Sequence, residues 1–450
     1  MIPAGLRLRR LFALWTPLAL TFLLLSGGTP VVNASINRLV GRDHARELAG
    51  YALLLSFAVF LHSPLLVARE IGIKLTDGKH GMRRALLICT VAGVVVAALE
   101  LLLGFTPLGG VILGAFTDDR ALAEAAHRAL PLLAPMPLFI AVRGVFQAQE
   151  IRSDNTILVG LGTLVRLGVT ALLGLGFGDA LGFTGASLGA FCMSVGIAVE
   201  TGVGVLGGRR SARLRPPTTG EPHPRPVRFA LLLMLANTLS VGSLIFHLRI
   251  AGRVPPEGQP ASLAAFQEVR SLVFFLNAGA IALQSLTTAK ALTPEGAARM
   301  MRFALLVGIG LSAVAAVGCF TPLRDVVLVT LLGERPGGEV MRLLLPALAI
   351  GVAMPFLQAL RFALRGVLIA RGATAAITLS TGVTLLLLAS ALAFALLPSL
   401  DNGAWNSMLW WTATLVLEIA LLLRAALYPR RPPLAELPAP LRSPRESTAG

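Results

Sequence analysis

The chain has 450 residues, of which 55% are hydrophobic and only 14% charged, against about 25% charged in an ordinary soluble domain. With a mean hydropathy of +0.77, too few polar groups exist to cover a water-facing surface, so the bilayer is the solvent. A net charge of +16 would suggest nucleic acid in a soluble chain. Here the basic residues lie mostly between apolar segments, and no nucleic-acid-binding module pattern is present, which excludes that class.

Apolar stretches long enough to cross a bilayer recur twelve times, near 11–36, 49–68, 84–104, 129–149, 156–177, 183–206, 229–250, 263–288, 302–320, 342–364, 374–397 and 405–427. The first follows a basic segment and ends near a Val-Asn-Ala that resembles a signal-peptide cleavage site. An internal counterpart of this segment argues that it stays as a span. Alternate loops are rich in arginine: the N-terminus with Arg7, Arg9 and Arg10, the loop from Arg69 to Arg84, the linker from Arg209 to Arg228, and the stretch from Lys290 to Arg302. The intervening loops are acidic or balanced, as at Asp118, Asp119 and Glu124. Positive-inside logic therefore puts both termini in the cytoplasm. Arginine dominates over the three lysines Lys74, Lys79 and Lys290, the usage of a GC-rich bacterial genome, so the expected location is a bacterial inner membrane. Cys89, Cys192 and Cys319 each fall inside an apolar helix as packing residues.

The sequence repeats itself. "MPLFIAVR" at 136–143 matches "MPFLQALR" at 354–361, and the match runs ungapped to Gly162-Thr163 against Ser380-Thr381. "FTPL" recurs at 105–108 and 320–323, and "SFAVFLH" at 56–62 matches "SLVFFLN" at 271–277. "FAL" recurs at 12–14 and 229–231, with Ala19, Thr21 and Ser26 matching Ala236, Thr238 and Ser243. The expected fold is thus an all-α integral membrane protein of twelve transmembrane helices in two parallel-repeat six-helix lobes. The lobes are expected at 1–207 and 229–428, joined by a basic cytoplasmic linker at 208–228, with a disordered Pro-rich tail at 429–450. In transporters built from repeats the substrate sits near the midplane between the halves.

Twelve spans, parallel lobes and a basic central linker resemble the MOP flippase superfamily, which includes MATE multidrug exporters, polysaccharide flippases and lipid II flippases. Within it, "PLALT" at 17–21, Asn37-Arg38 and "LAGYALLLSFAVFLHSP" at 48–64 resemble the progressive ankylosis protein (ANKH-like) family, most specifically over about residues 15–85. The resemblance implies export of small anions such as citrate, pyrophosphate or nucleotides, and gives Arg38 its weight.

Ionisable groups inside a span cost about 2.5–3.5 kcal/mol on insertion scales, so each needs a reason. Arg143 and Glu200 recur as Arg361 and Glu418 at the same offset of 218. Opposite charges at matched depth in both copies suggest a structural Arg–Glu pair in each lobe, with snorkelling or substrate contact as the other readings. Arg166 lies about 16 Å into its helix at the helical rise and aligns with Thr384. It reads either as a substrate-facing cation or as half of a buried pair with Glu100 or a helix carbonyl. Glu268 and Arg270 align with Leu53 and Leu55, and with His247 and Arg249 could form an outer polar cluster that rims the cavity or binds solute. His62 and Asn277 are repeat-equivalent, and read as hydrogen-bonded packing or, for His62, as a proton carrier. Asn33 and Asn37 share a helical face after Gly27-Gly28 and Pro30, which would either bend the helix toward a cavity or let its end fray.

No GxxxxGK[ST] loop is present, so ATP-driven transport by this chain is excluded. The first span carries no acid, unlike an exporter that holds cationic drugs on a carboxylate, and a deep arginine favours an anion. No hydrolytic constellation, metal-ligand spacing or cofactor motif is found. The expected partners are a small anionic solute and the lipid bilayer, with no nucleic acid, and the chain is expected to act as a monomer. A flippase of a lipid-linked phosphate compound and a MATE-type multidrug exporter are the alternatives.

Overall fold

A computed structural model describes residues 7–36, 44–76, 80–114, 120–178, 180, 182–183, 185–214, 225–255, 258–331, 337–393 and 401–428. Asn37, Arg38, the tail at 429–450 and the middle of the expected linker lie outside the described residues. The first half contains α1 (Leu8–Ile36), α2 (His44–His62), α3 (Ala68–Leu75), α4 (Gly81–Phe105), α5 (Pro107–Gly114), α6 (Arg120–Ala129), α7 (Met136–Arg152), α8 (Thr156–Ala171) and α9 (Gly185–Leu214). The second half contains α10 (Pro226–Ala251), α11 (Gln259–Leu276), α12 (Ala278–Lys290), α13 (Pro294–Phe320), α14 (Leu323–Asp325), α15 (Glu339–Gly351), α16 (Met354–Ala370), α17 (Thr374–Ala393) and α18 (Gly403–Leu427). Nine described spans are long and apolar enough to cross a membrane, and twelve result when three bent helix pairs each count as one. The chain is a multi-pass, all-helical membrane protein with two six-span lobes.

The bends themselves are duplicated. The fourth span turns by 47° between α6 and α7, and the tenth by 43° between α15 and α16. In each, the second helix begins with Met-Pro, at Met136-Pro137 and Met354-Pro355. Proline fits the first turn because its missing N–H would have no intrahelical partner there. The eighth span bends by 44° at Asn277, between α11 and α12. At the equivalent place in the second span, a 3-10 turn over Ser63–Val67 links α2 to α3. Expected bounds fall short here: the second span reaches Leu75 and the fourth starts at Arg120. Two further expectations are corrected. α1 stays one helix through Gly27, Gly28 and Pro30, so its end does not fray before Ile36. α9 runs on to Leu214, past the expected linker start at 208. A Cβ at Gly208 would lie 2.7 Å from the Phe146 carbonyl oxygen, so the glycine lets α9 press against α7 where a loop was expected.

Matched crossings hold each lobe together. Gly93 of α4 faces Ala141 of α7, and its equivalent Gly308 of α13 faces Ala359 of α16. Apolar side chains such as Phe105 and Phe320 stand 76% and 67% exposed at equivalent positions, as expected where lipid replaces water.

Between the lobes, α1 packs on α12, and α10 packs on the 3-10 turn at Ser63–Val67. These two contacts are equivalent under the repeat. The first buries Leu11, Leu14 and Leu18 with Leu283, Leu286 and Phe303 in one apolar cluster, and Trp15 Nε1 donates to the Gly279 carbonyl at 2.8 Å. In the second, Asn237 Nδ2 donates to the Ser63 carbonyl at 2.6 Å and Ser63 Oγ to Thr238 Oγ1 at 3.3 Å. On the face that carries the N-terminus, Lys74 Nζ donates to the Ala370 carbonyl at 2.6 Å, and Asp154 is ion-paired with both Arg10 and Lys290.

Candidate functional site

Each lobe holds one buried glutamate that has its counterpart in the other. In the first, Glu200 of α9 is 1% exposed and is ion-paired with Arg143 of α7. Its Oε2 also receives Arg166 Nη1 of α8 at 3.4 Å. Its Oε1 accepts from Thr163 Oγ1 at 2.8 Å and Gln147 Nε2 at 3.5 Å. Packing of α7 and α8 on α9 brings these groups together. In the second lobe, Arg361 Nε of α16 stands 2.9 Å from Glu418 Oε2 of α18. Thr381 Oγ1 donates to Glu418 Oε1 at 3.2 Å, while Arg361 reaches Ser240 Oγ at 2.8 Å and Gln358 Oε1 at 3.3 Å.

The two centres share an Arg–Glu–Thr core but differ in their second cation. Arg166 supplies it in the first lobe; its counterpart Thr384 instead donates to the Thr381 carbonyl at 2.9 Å. In the second lobe Arg365, the counterpart of Gln147, is buried and acts on Glu418 electrostatically. One carboxylate thus faces two guanidinium groups in each lobe. Burying a charge without compensation is costly, and Glu70 and Glu150 are buried near these centres as well.

Arg166 is 6% exposed and pairs with Glu200, so neither Glu100 nor a helix carbonyl is the partner that holds it. Glu100 of α4 is engaged by His62 instead, at 2.7 Å. The other side of the Arg166 guanidinium faces α1, where a Cβ on Gly28 would sit 3.5 Å from Nη2. α9 approaches closely through glycines: a Cβ at Gly196 would lie 2.6 Å from Thr170 Oγ1 and 3.1 Å from Arg166 Cγ, and one at Gly189 would lie 2.4 Å from the Tyr51 ring. The buried hydroxyls of Tyr51 and Thr170 have no hydrogen-bond partner among the described residues. Buried polar groups are nearly always satisfied, which sets these two hydroxyls beside Arg166 apart from the rest of the lobe.

The remaining expected residues are spread out. Asn33 is half-buried on α1. Asn277 is buried at the bend between α11 and α12, its Oδ1 without a partner. His247 does not join an outer cluster: it is 1% exposed and stacks on Trp411 of α18 at 5.6 Å. α10 turns this ring into its own lobe because the aromatic face offers packing that water does not. Arg249 is exposed, while Glu268 and Arg270 are half-buried on α11. Sequence reasoning passed over Thr163, Thr381, Gln147 and Arg365, although Thr163 and Thr381 close the aligned block. Arg69, expected in a cytoplasmic loop, lies instead on α3 within the second span, beside Glu70, which sequence reasoning passed over. The Arg69 guanidinium lies 4.9 Å from the Phe22 ring centroid, and Glu70 Oε1 accepts from Ser285 Oγ at 2.6 Å.

The progressive ankylosis protein (ANKH) family model matches residues 3–172, the stretch that contributes Arg143 and Arg166. The eukaryotic MATE transporter AtDTX14 superposes with a TM-score of 0.73 at 15% identity, over 94% of this chain and 97% of that one. The fold is MATE-like, and residues 3–172 are similar to the ANKH family. A Vibrio cholerae MATE transporter mutant gives a TM-score of 0.70 at 16% identity, over 93% and 96% of the two chains. A MOP superfamily transporter from Pyrococcus furiosus gives 0.65 at 15%, over 95% and 97%. At these identities the likeness is one of fold. The ANKH-like match ends at Thr-rich α8, so the buried centre of the second lobe is read from the duplication alone.

Proposed function

We propose that this ANKH-like protein is a secondary transporter of small organic or phosphate-containing anions, of the citrate, pyrophosphate or nucleotide class, working by alternating access between its lobes. The observation that carries the reading is Arg166: a buried guanidinium that shares one carboxylate with Arg143 and lies near the unsatisfied hydroxyls of Tyr51 and Thr170. An oxyanion would neutralise the surplus charge and accept from both hydroxyls. Five buried or nearly buried arginines, Arg69, Arg143, Arg166, Arg361 and Arg365, stand against four glutamates, Glu70, Glu150, Glu200 and Glu418, around the two centres and the seam. A site of that sign attracts anions and repels the cations that a multidrug exporter carries. The Pyrococcus furiosus relative, whose binding pocket has a reverse polarity that suggests a different function, offers a parallel within this fold.

The inter-lobe contacts on the N-terminal face supply the element that alternates: small polar contacts and ion pairs that can break, laid over one apolar cluster. In this reading the lobes are 1–207 and 229–428, the N-terminal face is cytoplasmic, the membrane is a bacterial inner membrane, and one chain suffices. Asn33, Asn37, Arg38, Asn277, Glu268 and Arg270 are assigned to the path leading to the site. Uptake of labelled citrate, pyrophosphate and ATP into proteoliposomes tests it, with a cationic dye in parallel. Flux of an anion and none of the dye is expected; flux of the dye alone would overturn the reading.

A further inference from the structure

His62 and Glu100 form a second ionisable pair inside the first lobe, separate from the Arg166 centre. His62 Nε2 lies 2.7 Å from Glu100 Oε1, with side-chain exposures of 3% and 0%. Glu100 Oε2 is buried and has no hydrogen-bond partner among the described residues. The repeat shows that the fold does not require this pair. The equivalent positions in the second lobe are Asn277 and Ala315, so both partners are replaced together where α11, α12 and α13 take the same places as α2, α3 and α4.

The pair also adjoins the inter-lobe seam. His62 ends α2, and the next residue, Ser63, opens the 3-10 turn that receives Asn237 and Thr238 from the other lobe. A change in how His62 is held is therefore passed through one peptide to the inter-lobe seam. The other titratable groups on the helices packed around the pair are occupied or distant. Glu47 at the far end of α2 accepts from the Gly185 N–H, and His127 of α6 contacts the Leu103 and Thr106 carbonyls. Glu70 and Lys74 of α3 make the seam contacts already described, and Arg69 lies over Phe22. On α7, Arg143 holds Glu200, and Glu150 lies near the far end under Gly207. Arg83 and Arg84 of α4, and Arg228 and Arg249 of α10, are exposed, and His247 of α10 stacks on Trp411.

We infer that His62 and Glu100 together bind one transported proton, and that its arrival and release drive the lobes between their two arrangements. With neutral imidazole and an ionised carboxylate, the pair carries one net negative charge in a dry interior, which is costly. One proton from water on one face makes the pair neutral, whether it rests on Nε2 or on the carboxyl, and stabilises the arrangement in which the pair is buried. Release of the same proton to water on the other face restores the charge. The charged pair then favours an arrangement that hydrates it, which opens the seam at Ser63. The inference deepens the transport reading by naming its coupling ion, and it rests on that reading.

The test uses full-length protein with its three cysteines replaced by alanine, spin-labelled at Ala52→Cys on α2 and Ile245→Cys on α10. Inter-lobe distances are recorded from about pH 5 to 8, the range in which histidine titrates. The variant His62→Asn/Glu100→Ala copies the second lobe and is expected to fold. The distance distribution should shift with pH in the parent, and the shift should vanish in the double variant. A parent insensitive to pH, or a double variant that keeps the full shift, would overturn the proton site. Labelled pyrophosphate, citrate and ATP flux is measured on the same samples. If no anion moves but the pH shift is lost with the pair, the proton site stands and the solute reading falls. If an anion moves with an unchanged pH profile in the double variant, the solute reading stands and the proton site falls.

Discussion

Glu70 and Ser285 occupy the same position in the two halves of the chain, and they meet each other: Ser285 Oγ donates to Glu70 Oε1 at 2.6 Å. A contact between repeat-equivalent residues marks the pseudo-twofold axis, so α3 and α12 cross at the centre of the molecule. Glu70 Oε2 has no hydrogen-bond partner among the described residues, which makes the Ser285 hydroxyl important to that carboxylate. Ser285→Ala should lower stability by about 1–3 kcal/mol, the cost of leaving a buried acceptor unsatisfied. Ser285→Thr keeps the hydroxyl and should lose less. Thermal unfolding in detergent checks the order; equal losses in the two variants would contradict it.

Two arginines on one glutamate make a charge swap asymmetric. Arg143→Glu or Glu200→Arg alone breaks a buried pair, at a cost of about 3–5 kcal/mol. The double swap sets the new arginine at 200 against Arg166, so it should restore folding only in part. Adding Arg166→Thr, which copies Thr384, should complete the rescue. Yield of monodisperse protein reads the result, and full rescue with Arg166 in place would contradict the shared-carboxylate geometry.

Close packing of α9 on the site gives a third expectation. Gly196→Ala places a methyl 2.6 Å from Thr170 Oγ1, and overpacking of this kind costs about 1–3 kcal/mol. Thr170→Ala removes that oxygen and should recover part of the loss, although Arg166 Cγ remains close. A thermal-stability cycle over the four proteins checks the coupling; simple additivity would contradict it.

How much of this was legible beforehand depended on what each residue's signal measures. Span positions follow from hydropathy alone, because lipid demands about twenty apolar residues whatever the packing. Arg143 and Glu200 could be paired because the duplication showed opposite charges kept together. Arg166 was matched to Glu100 by depth, but depth along one helix does not reveal its neighbours. α8 lies against α1 and α9, which brings Glu200 within reach, while Glu100 on α4 meets His62 of α2. The bends at Pro137, Pro355 and Asn277 were not located, because an apolar run reads the same whether straight or broken. Trp411, which draws His247 inward, is 164 residues away in sequence, beyond any local pattern.

The most direct measurement is pyrophosphate, citrate and ATP flux in proteoliposomes holding the parent and Arg166→Thr at equal density. The variant keeps the Arg143–Glu200 pair and copies the second lobe, so it should fold with an unchanged thermal midpoint. Flux of the transported anion should fall about tenfold or more, corresponding to ~1.4 kcal/mol of lost interaction. Unchanged anion flux in the folded variant would contradict the assignment of Arg166 as the residue that holds the solute.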